Sequence, residues 1–223
     1  MKRLSVIFLT IAVSLNFSTM SQTKSEQKVV KFFIHTDFGD MKGILYNQTP
    51  KHRDNFEKLA RQGYFDGLLF HRVINGFMIQ GGDPNSKNAK PGQQLGNGGP
   101  GYTIPAEFNP QFIHKKGALA AARLGDDGNP QKASSGSQFY IVQGKKQNSA
   151  QLDALSSRSG FKYTDDQKKI YETIGGTPFL DGSYTVFGEI TEGLNVIDKI
   201  AAAEKDQADR PKVDVKMTIK IVD

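Results

Sequence analysis

Eight short runs of apolar, β-forming residues recur along the chain, and turns or loops separate each run from the next. The runs cover residues 29–36, 41–47, 68–74, 77–80, 117–124, 137–143, 184–190 and 213–221. The last run alternates strictly between apolar and polar residues, which is typical of a half-buried strand. Two amphipathic patterns accompany the runs, one opening at Thr49-Pro50 and one beginning at Leu194, and each predicts a helix.

So many short strands would leave exposed edges unless the sheet closed on itself. The pattern therefore predicts a mainly β protein, a closed eight-stranded antiparallel barrel capped by two helices. The segment 145–176 interrupts the series. It is polar up to Gly160, and a capping box at 164–167 then precedes an apolar stripe that ends before Gly175. We predict an inserted loop followed by one helix from Thr164 to Ile174.

The composition fits one globular domain and excludes several chemistries. The chain has 223 residues, 15 of them phenylalanine, which is ample for a core. It contains no cysteine, so disulfides, thiolate metal sites and a thiol nucleophile are excluded. The four histidines are far apart in sequence, and none forms a helical i, i+4 pair. We therefore expect neither a metal nor a cofactor.

The N-terminal segment has the pattern of a secretory signal. Lys2 and Arg3 precede an apolar run at 4–15, and small and polar residues follow up to Ser21. A run of this length is short for a membrane span, which needs about 20 residues. We predict a signal peptide at 1–21 and a mature domain at 22–223, exported across the inner membrane to the periplasm. A retained membrane anchor is the alternative.

The charge is mildly basic. Loss of Lys2 and Arg3 with the signal lowers the formal charge from +6 to +4. The lysine pairs at 115–116, 145–146 and 168–169 are short and lack interleaved aromatic residues. Solvated surfaces explain them better than nucleic-acid binding does. We expect no nucleic-acid partner, no membrane span after signal cleavage, and a monomer.

One segment, FHRVINGFMIQGGD at 70–83, places a cation among apolar neighbours. Phe70, Arg72 and Ile74 share one face of a predicted strand, and the turn Asn75-Gly76 follows. The pattern suits an arginine beside a pocket of aromatic and methionine side chains. It suits equally a surface arginine above an ordinary core, because long cationic side chains often extend from apolar surroundings to water.

The same segment resembles the signature of cyclophilin-type peptidyl-prolyl cis-trans isomerases. SQFYI at 137–141 and FLDGSYTVFG at 179–188 are similar to two further motifs of that family, and they occur in the same order. The resemblance extends over residues 29–222, apart from the insertion. It implies an eight-stranded barrel capped by two helices, and an enzyme that accelerates rotation about X-Pro bonds.

The resemblance also implies roles for individual residues. Arg72 matches the catalytic arginine, and Phe77, Met78, Tyr140 and Leu180 match the proline pocket. Polar groups that hold the peptide match Gln80 and Gln138, and positions whose backbone meets the peptide match Ala122 and Arg123. The rim of the pocket matches His71, Gly96, Phe179 and Tyr184.

Three positions depart from the commonest pattern of the family. Tyr140 stands where phenylalanine is usual, so its hydroxyl needs a partner. Phe179 stands where many eukaryotic members have tryptophan, and Tyr184 replaces a frequent histidine. None of these departures removes the arginine.

The function implied is isomerisation of proline-containing polypeptides, which would assist protein folding in an extracytoplasmic compartment. The alternative is a peptide-binding chaperone module on the same barrel that has no turnover; Arg72 favours the enzyme. The insertion joins segments that carry the pocket, so we predict that it tunes substrate access without taking part in the chemistry. A surface addition without effect remains the other interpretation.

Overall fold

The computed structural model describes residues 29–222. Within that range the strands are β1 (Val30–Thr36), β2 (Gly39–Leu45), β3 (Arg72–Ile74), β4 (Met78–Gly81), β5 (Thr103–Ile104), β6 (Ala118–Ala121), β7 (Ser134–Ser135), β8 (Phe139–Val142), β9 (Val186–Glu192) and β10 (Thr218–Val222). The α-helices are α1 (Pro50–Arg61), α2 (Ser149–Ser159), α3 (Asp165–Thr173) and α4 (Leu194–Ala201). The predicted signal peptide lies outside the described residues.

Eight of these strands form one curled antiparallel sheet in the order β10-β1-β2-β9-β6-β8-β4-β3. β5 and β7 form a separate two-stranded sheet. β1 and β2 are joined by a tight turn and pair along their whole length, as the apolar runs on either side of that turn predict. The prediction of a mainly β fold with eight short strands is confirmed.

The expected closure of the barrel is wrong, because β3 and β10 lie at the two open ends of the sheet. The segment before β3 does meet the segment before β10. The amides of Phe70 and Met217 donate to the carbonyls of Val215 and Leu68, at 2.9 and 2.8 Å. Further along, however, the outer partner of Val73 is the carbonyl of Asp209, in the irregular stretch that precedes β10. Asp209 has a left-handed backbone (φ 63°), which regular strand pairing does not accommodate.

Alternation along the strands separates two apolar clusters on opposite faces of the sheet. The larger cluster fills the concave side and includes Phe32, Phe56, Ile79, Phe139 and Ile141. Residues one step along from these form a smaller cluster on the other face, around Met78, Tyr140 and Val142. This second cluster is the part of the fold that the site uses.

α1 packs against the larger cluster through Phe56, Leu59 and Ala60. It begins at Pro50 as predicted, but the side chain of Thr49 makes no capping hydrogen bond. The carboxylate of Glu107 instead accepts from the amides of Lys51 and His52, at 3.1 and 2.9 Å. It also contacts His52 Nδ1 at 2.6 Å. Glu107 is 56 residues away in sequence, so a local pattern could not identify this cap. The second predicted flanking helix is α4.

The insertion contains two helices rather than one. α3 matches the helix predicted from its capping box, which is present around Thr164. α2 lies in the polar half that we expected to be loop; Asn148 and Gln151 form a second capping box, and Gly160 ends the helix in a left-handed conformation. Its sequence has no clear apolar stripe, and Leu152 is its one fully buried residue.

No helix within residues 29–222 has both the length and the apolarity that crossing a membrane would require.

Candidate active site

A row of side chains crosses four neighbouring strands on the face of the sheet that carries the smaller cluster. Arg72 on β3 pairs with Gln80 on β4, Gln80 pairs with Tyr140 on β8, and Tyr140 pairs with Ala120 on β6. Directly paired residues in antiparallel strands point to the same face. The sheet register therefore brings Arg72, Gln80 and Tyr140 together although they are up to 68 residues apart in the sequence.

Hydrogen bonds fix the orientation of the polar part of this row. Gln138 Nε2 donates to the carbonyls of Gly96 and Gly98, at 2.8 and 2.7 Å. Because carbonyls only accept, the Oε1 atom of Gln138 must face Gln80, whose Nε2 donates to it at 3.1 Å. The Oε1 atom of Gln80 is then left for Arg72 Nη1, at 3.4 Å. Two backbone carbonyls thus determine which end of each amide meets the guanidinium.

Arg72 is held from its other side by a carboxylate. Its Nε lies 3.7 Å from Asp209 Oδ2, and Lys205 Nζ donates to the second oxygen of Asp209 at 2.6 Å. The side chain of Arg72 is 41% exposed. A guanidinium fixed by Gln80 and Asp209 still has N–H groups free to face a ligand at the surface, since it carries five donors.

The apolar part of the site lies beside the arginine. Met78 and Tyr140 are buried and form its floor. Phe77 and Leu180 are partly buried and pack against the same cluster. The ring of Phe179 packs on Phe77 with 5.6 Å between centroids, and it is 58% exposed. All of the residues predicted to form the proline pocket are therefore brought together in one apolar cluster, with Phe179 at its edge.

Tyr184 packs against the same apolar cluster, and Arg123 lies over Tyr184. Tyr184 meets the ring of Tyr140 edge-on at 6.0 Å between centroids. The guanidinium of Arg123 lies over the ring of Tyr184, 4.3 Å from its centroid. Arg123 is itself fixed, because its Nε donates to the carbonyl of Ser183 at 2.9 Å and its Nη1 pairs with Asp126 at 2.6 Å. The side chain of Arg123 thus orients Tyr184 through a cation–π contact.

The backbone of Ala122 is already hydrogen-bonded within the protein. Its amide donates to the carbonyl of Gln138 at 3.0 Å, and its carbonyl accepts from the amide of Ser135 at 2.8 Å. Only the second lone pair of that carbonyl is left for a ligand. The backbone of Ala122 can therefore meet a peptide only as a hydrogen-bond acceptor.

The Tyr140 hydroxyl does have a partner, as the sequence requires. It lies 2.9 Å from His114 Nε2, and His114 Nδ1 lies 2.7 Å from Asp181 Oδ1. Burial raises the pKa of Tyr140 well above its usual value, with smaller contributions from Tyr184 and Asp181. The phenol therefore stays protonated.

His71 is buried beneath the loop that carries Gly96, rather than lying on the surface of the rim. It is 3% exposed, and burial lowers its pKa to about 4. Gly96 is positioned by the fully buried carboxylate of Asp83, which accepts from its amide at 2.5 Å. Among residues 29–222 no three His, Asp or Glu side chains come close enough together to hold a metal ion.

The loop that contains Gly96 is anchored by a buried arginine. Arg210 is 6% exposed, and its Nη1 donates to the carbonyls of Lys90 and Gln93 at 2.8 and 3.3 Å. Beyond this loop, a groove of about 910 Å³ continues from Gln80 and Gln138 towards Arg123. Gln80 and Gln138 of the polar row therefore line one end of this groove.

Sequence reasoning missed Asp209, His114 and Asp181. Asp181 is part of the motif at 179–188, so its position next to Leu180 was the one available signal. Asp209 and His114 come from segments outside the three motifs, and their contacts with the site exist only in the folded chain.

The comparisons with known proteins agree with this geometry. Residues 31–221 match the model of the family described as cyclophilin-type peptidyl-prolyl cis-trans isomerase/CLD. A protein of Staphylococcus saprophyticus assigned by name as a peptidyl-prolyl cis-trans isomerase is 36% identical over 199 residues, covering 87% of this chain and 92% of the relative. A protein of Staphylococcus aureus with the same assignment is 38% identical over 194 residues, covering 85% and 90%.

Solved structures give the same result. A crystal structure of a Cryptosporidium parvum cyclophilin-type peptidyl-prolyl cis-trans isomerase superposes with a TM-score of 0.63 at 25% identity, covering 88% of this chain and 99% of the other. A second structure of that protein, determined in the presence of the dipeptide Ala-Pro, gives a TM-score of 0.61 at 24% identity and covers 86% and 99%. The chain therefore belongs to the cyclophilin-type peptidyl-prolyl cis-trans isomerases.

Proposed function

We propose that Arg72 is the catalytic residue of this isomerase, and that the apolar cluster of Phe77, Met78, Tyr140 and Leu180 binds the proline ring. The observation that carries the proposal is the position of the guanidinium beside a partly exposed apolar cluster, held there by Gln80 and Asp209. The crystal structure of the C. parvum protein in the presence of Ala-Pro supports proline-containing polypeptides as the substrate class.

The chemistry follows from the electronic structure of the X-Pro amide. Resonance between the nitrogen lone pair and the carbonyl gives the bond a rotation barrier of about 18–20 kcal/mol. Twisting the bond returns the lone pair to nitrogen. A cationic N–H donor aimed at that nitrogen stabilises the twisted form more than either planar form, which lowers the barrier. Arg72 supplies such a donor.

Arg72 cannot supply the whole acceleration. Uncatalysed isomerisation takes about 100 s. Reaching the millisecond range needs about 10⁵-fold, or about 7 kcal/mol. One charge-assisted hydrogen bond contributes about 1.5–3 kcal/mol. The remainder must come from Gln80 and neighbouring groups that hold the peptide around the rotating bond, while the apolar cluster anchors the proline ring in every form of the amide.

The assay is a protease-coupled or NMR-exchange measurement of turnover on an X-Pro peptide. We expect Arg72→Ala to lower kcat/KM by about 10- to 150-fold, the factor equivalent to one charge-assisted hydrogen bond. Arg72→Lys keeps the charge but loses the planar guanidinium, so its kcat/KM should lie between those of the wild type and Arg72→Ala. Turnover close to that of the wild type in a folded Arg72→Ala protein would refute the proposed role.

The groove beyond Gln138 gives the peptide a path past the proline. We propose that it holds the flanking residues of the substrate, with the Gly96–Gly98 loop as its near wall. A peptide-binding module without turnover would bind an X-Pro peptide in the same place. Binding by a wild-type protein that shows no turnover would favour that alternative.

We further propose that the enzyme assists protein folding outside the cytoplasm, in the periplasm. The support is the sequence of residues 1–21, with its basic start, short apolar run and small residues near Ser21. Expression of the full chain, followed by cell fractionation and mass determination of the N-terminus, tests this. Recovery from the cytoplasm with residues 1–21 retained would contradict it.

A further inference from the structure

The insertion reaches the proline pocket through buried side chains. Tyr171 on α3 donates to Asp181 Oδ2 at 2.6 Å. Asp181 Oδ1 lies 2.8 Å from the amide of His114 and 2.7 Å from its Nδ1, and His114 Nε2 lies 2.9 Å from the Tyr140 hydroxyl. We call Tyr171, Asp181, His114 and Tyr140 the buried chain. All four side chains are at most 4% exposed, so little water competes with these bonds.

The chemistry of the groups fixes the direction of the hydrogen bonds that Asp181 accepts. Asp181 accepts the backbone amide of His114, so its carboxylate acts as acceptor, and Nδ1 of the ring must carry the proton between them. Nε2, on the other side of the ring, is the atom that meets the Tyr140 hydroxyl. Burial, followed by the charge of Asp181, raises the pKa of Tyr171, so that phenol also stays protonated and donates. The two phenols therefore contact the same Asp181–His114 pair from opposite ends.

A second contact connects the insertion with the rim of the pocket. The Tyr163 hydroxyl, between α2 and α3, donates to the carbonyl of Pro178 at 2.9 Å. Pro178 begins the short 3₁₀ turn that carries Phe179 and Leu180. The insertion therefore contacts both the segment before the rim aromatic and the carboxylate just after Leu180.

The insertion is also packed too firmly to be a loose surface addition. Leu152 and Tyr171 are fully buried and form a third apolar cluster with Ile113, on the segment that leads to His114. At its base, Lys145 and Gly176 exchange backbone hydrogen bonds of 3.1 and 3.0 Å. Tyr171 is thus held in place independently of the pocket.

We propose that Tyr171 is a positioning residue for isomerisation: through Asp181 and His114 it fixes the Tyr140 ring against which the substrate proline packs. This inference rests on the proposed proline pocket. The ring grips proline in both planar forms and in the twisted form, so a displaced ring weakens all three alike. Such uniform weakening raises KM and leaves kcat almost unchanged.

The test is a double-mutant cycle on X-Pro peptide kinetics. Tyr171→Phe removes one hydroxyl and keeps the ring that fills the third cluster. We expect KM to rise by about threefold to tenfold, the size of one hydrogen bond, with kcat within about twofold. In the Tyr140→Phe background the chain no longer reaches the pocket, so the same substitution should change KM by less than about 1.5-fold. A purely structural role for Tyr171 would give equal factors in both backgrounds, which would overturn the proposal.

The control is Tyr64→Phe, which removes a buried hydroxyl for which residues 29–222 provide no hydrogen-bond partner; the Tyr64 ring packs against the larger cluster. If Tyr171→Phe changes KM no more than Tyr64→Phe does, the proposal is wrong. His114→Gln tests the same chain from its centre and should raise KM by a similar factor. An unchanged KM in folded His114→Gln would also overturn it. Failure of the proposed function has a different result, namely that Arg72→Ala leaves turnover intact.

Discussion

Asp209 is the residue outside the predicted set that acts most directly on Arg72. Its carboxylate lies 3.7 Å from the guanidinium, and its backbone carbonyl accepts from the amide of Val73 on the same strand as Arg72. Asp209 therefore positions both the backbone of β3 and the guanidinium of Arg72.

Asp209→Asn should lower kcat while leaving the fold intact. Asparagine tolerates the left-handed backbone of this position, so the substitution removes mainly the charge. We expect kcat to fall by about twofold to fivefold, because Arg72 loses the partner that orients it. Asp66→Asn, which breaks a surface pair with Lys220, is the matched control. Unchanged kcat in Asp209→Asn would show that Gln80 alone holds the arginine.

His71 makes the stability of the protein depend on pH. Burial lowers its pKa from 6.5 to about 4 in the folded state. Between these values the unfolded chain binds more protons than the folded chain, so the free energy of unfolding decreases as the pH falls. From pH 7 to pH 5 this single group should account for about 2 kcal/mol.

Denaturant unfolding at pH 7 and pH 5 measures this effect. The pKa of His52 is also lowered by burial, so the wild-type slope contains a contribution of the same sign from His52. Comparison with His71→Gln isolates the contribution of His71: the variant should lose about 2 kcal/mol less over the same interval. Parallel pH dependences of the two proteins would contradict a buried, neutral His71.

At the scale of elements, contacts between distant segments account for what the sequence left open. α1, α3 and the β1–β2 hairpin were predictable because the apolar stripes of the two helices, the capping box of α3 and the turn of the hairpin are local. α2 was not, because its burial amounts to one leucine and its stability depends on packing and capping. The positions of Arg72, Gln80 and Tyr140 followed from motif resemblance. Their mutual orientation follows from sheet register and from carbonyls at 96 and 98, which no local pattern encodes.

The N-terminus of α1 offers a test of one such distant contact. Glu107 accepts two helix amides and a ring nitrogen of His52, so Glu107→Ala leaves three donors without their acceptor. We expect the free energy of unfolding to fall by about 2–4 kcal/mol, from a lost cap and a buried ring without its partner. Glu204→Ala, at an exposed pair with Lys212, should change it little. A similar small change in both variants would contradict the capping role.

At the scale of the whole molecule, the question is whether the sheet opens easily at its seam, the line where residues 67–70 meet residues 215–217. Backbone hydrogen bonds join residues 67–70 to residues 215–217 there, and Val215 and Met217 are both 1% exposed. Burial of this kind should make the seam part of the cooperative core although it is not a regular pair of strands.

Amide hydrogen exchange distinguishes the two cases. We expect the amides of Phe70 and Met217 to exchange within about tenfold of those of Phe32 and Ile34 in the centre of β1. Exchange about a thousandfold faster at the seam would show that the sheet opens there without global unfolding.

The adjacent residues Asp209 and Arg210 serve two different parts of the site. The first holds the guanidinium of Arg72, and the second holds the loop whose carbonyls orient Gln138. Both lie in the irregular stretch 202–214 that follows α4, and such stretches open more readily than the sheet they flank. Mild heating that loosens this segment would release the arginine and the loop in a single event while the sheet stayed intact. Inactivation by heat should therefore precede melting of the fold and reverse fully on cooling.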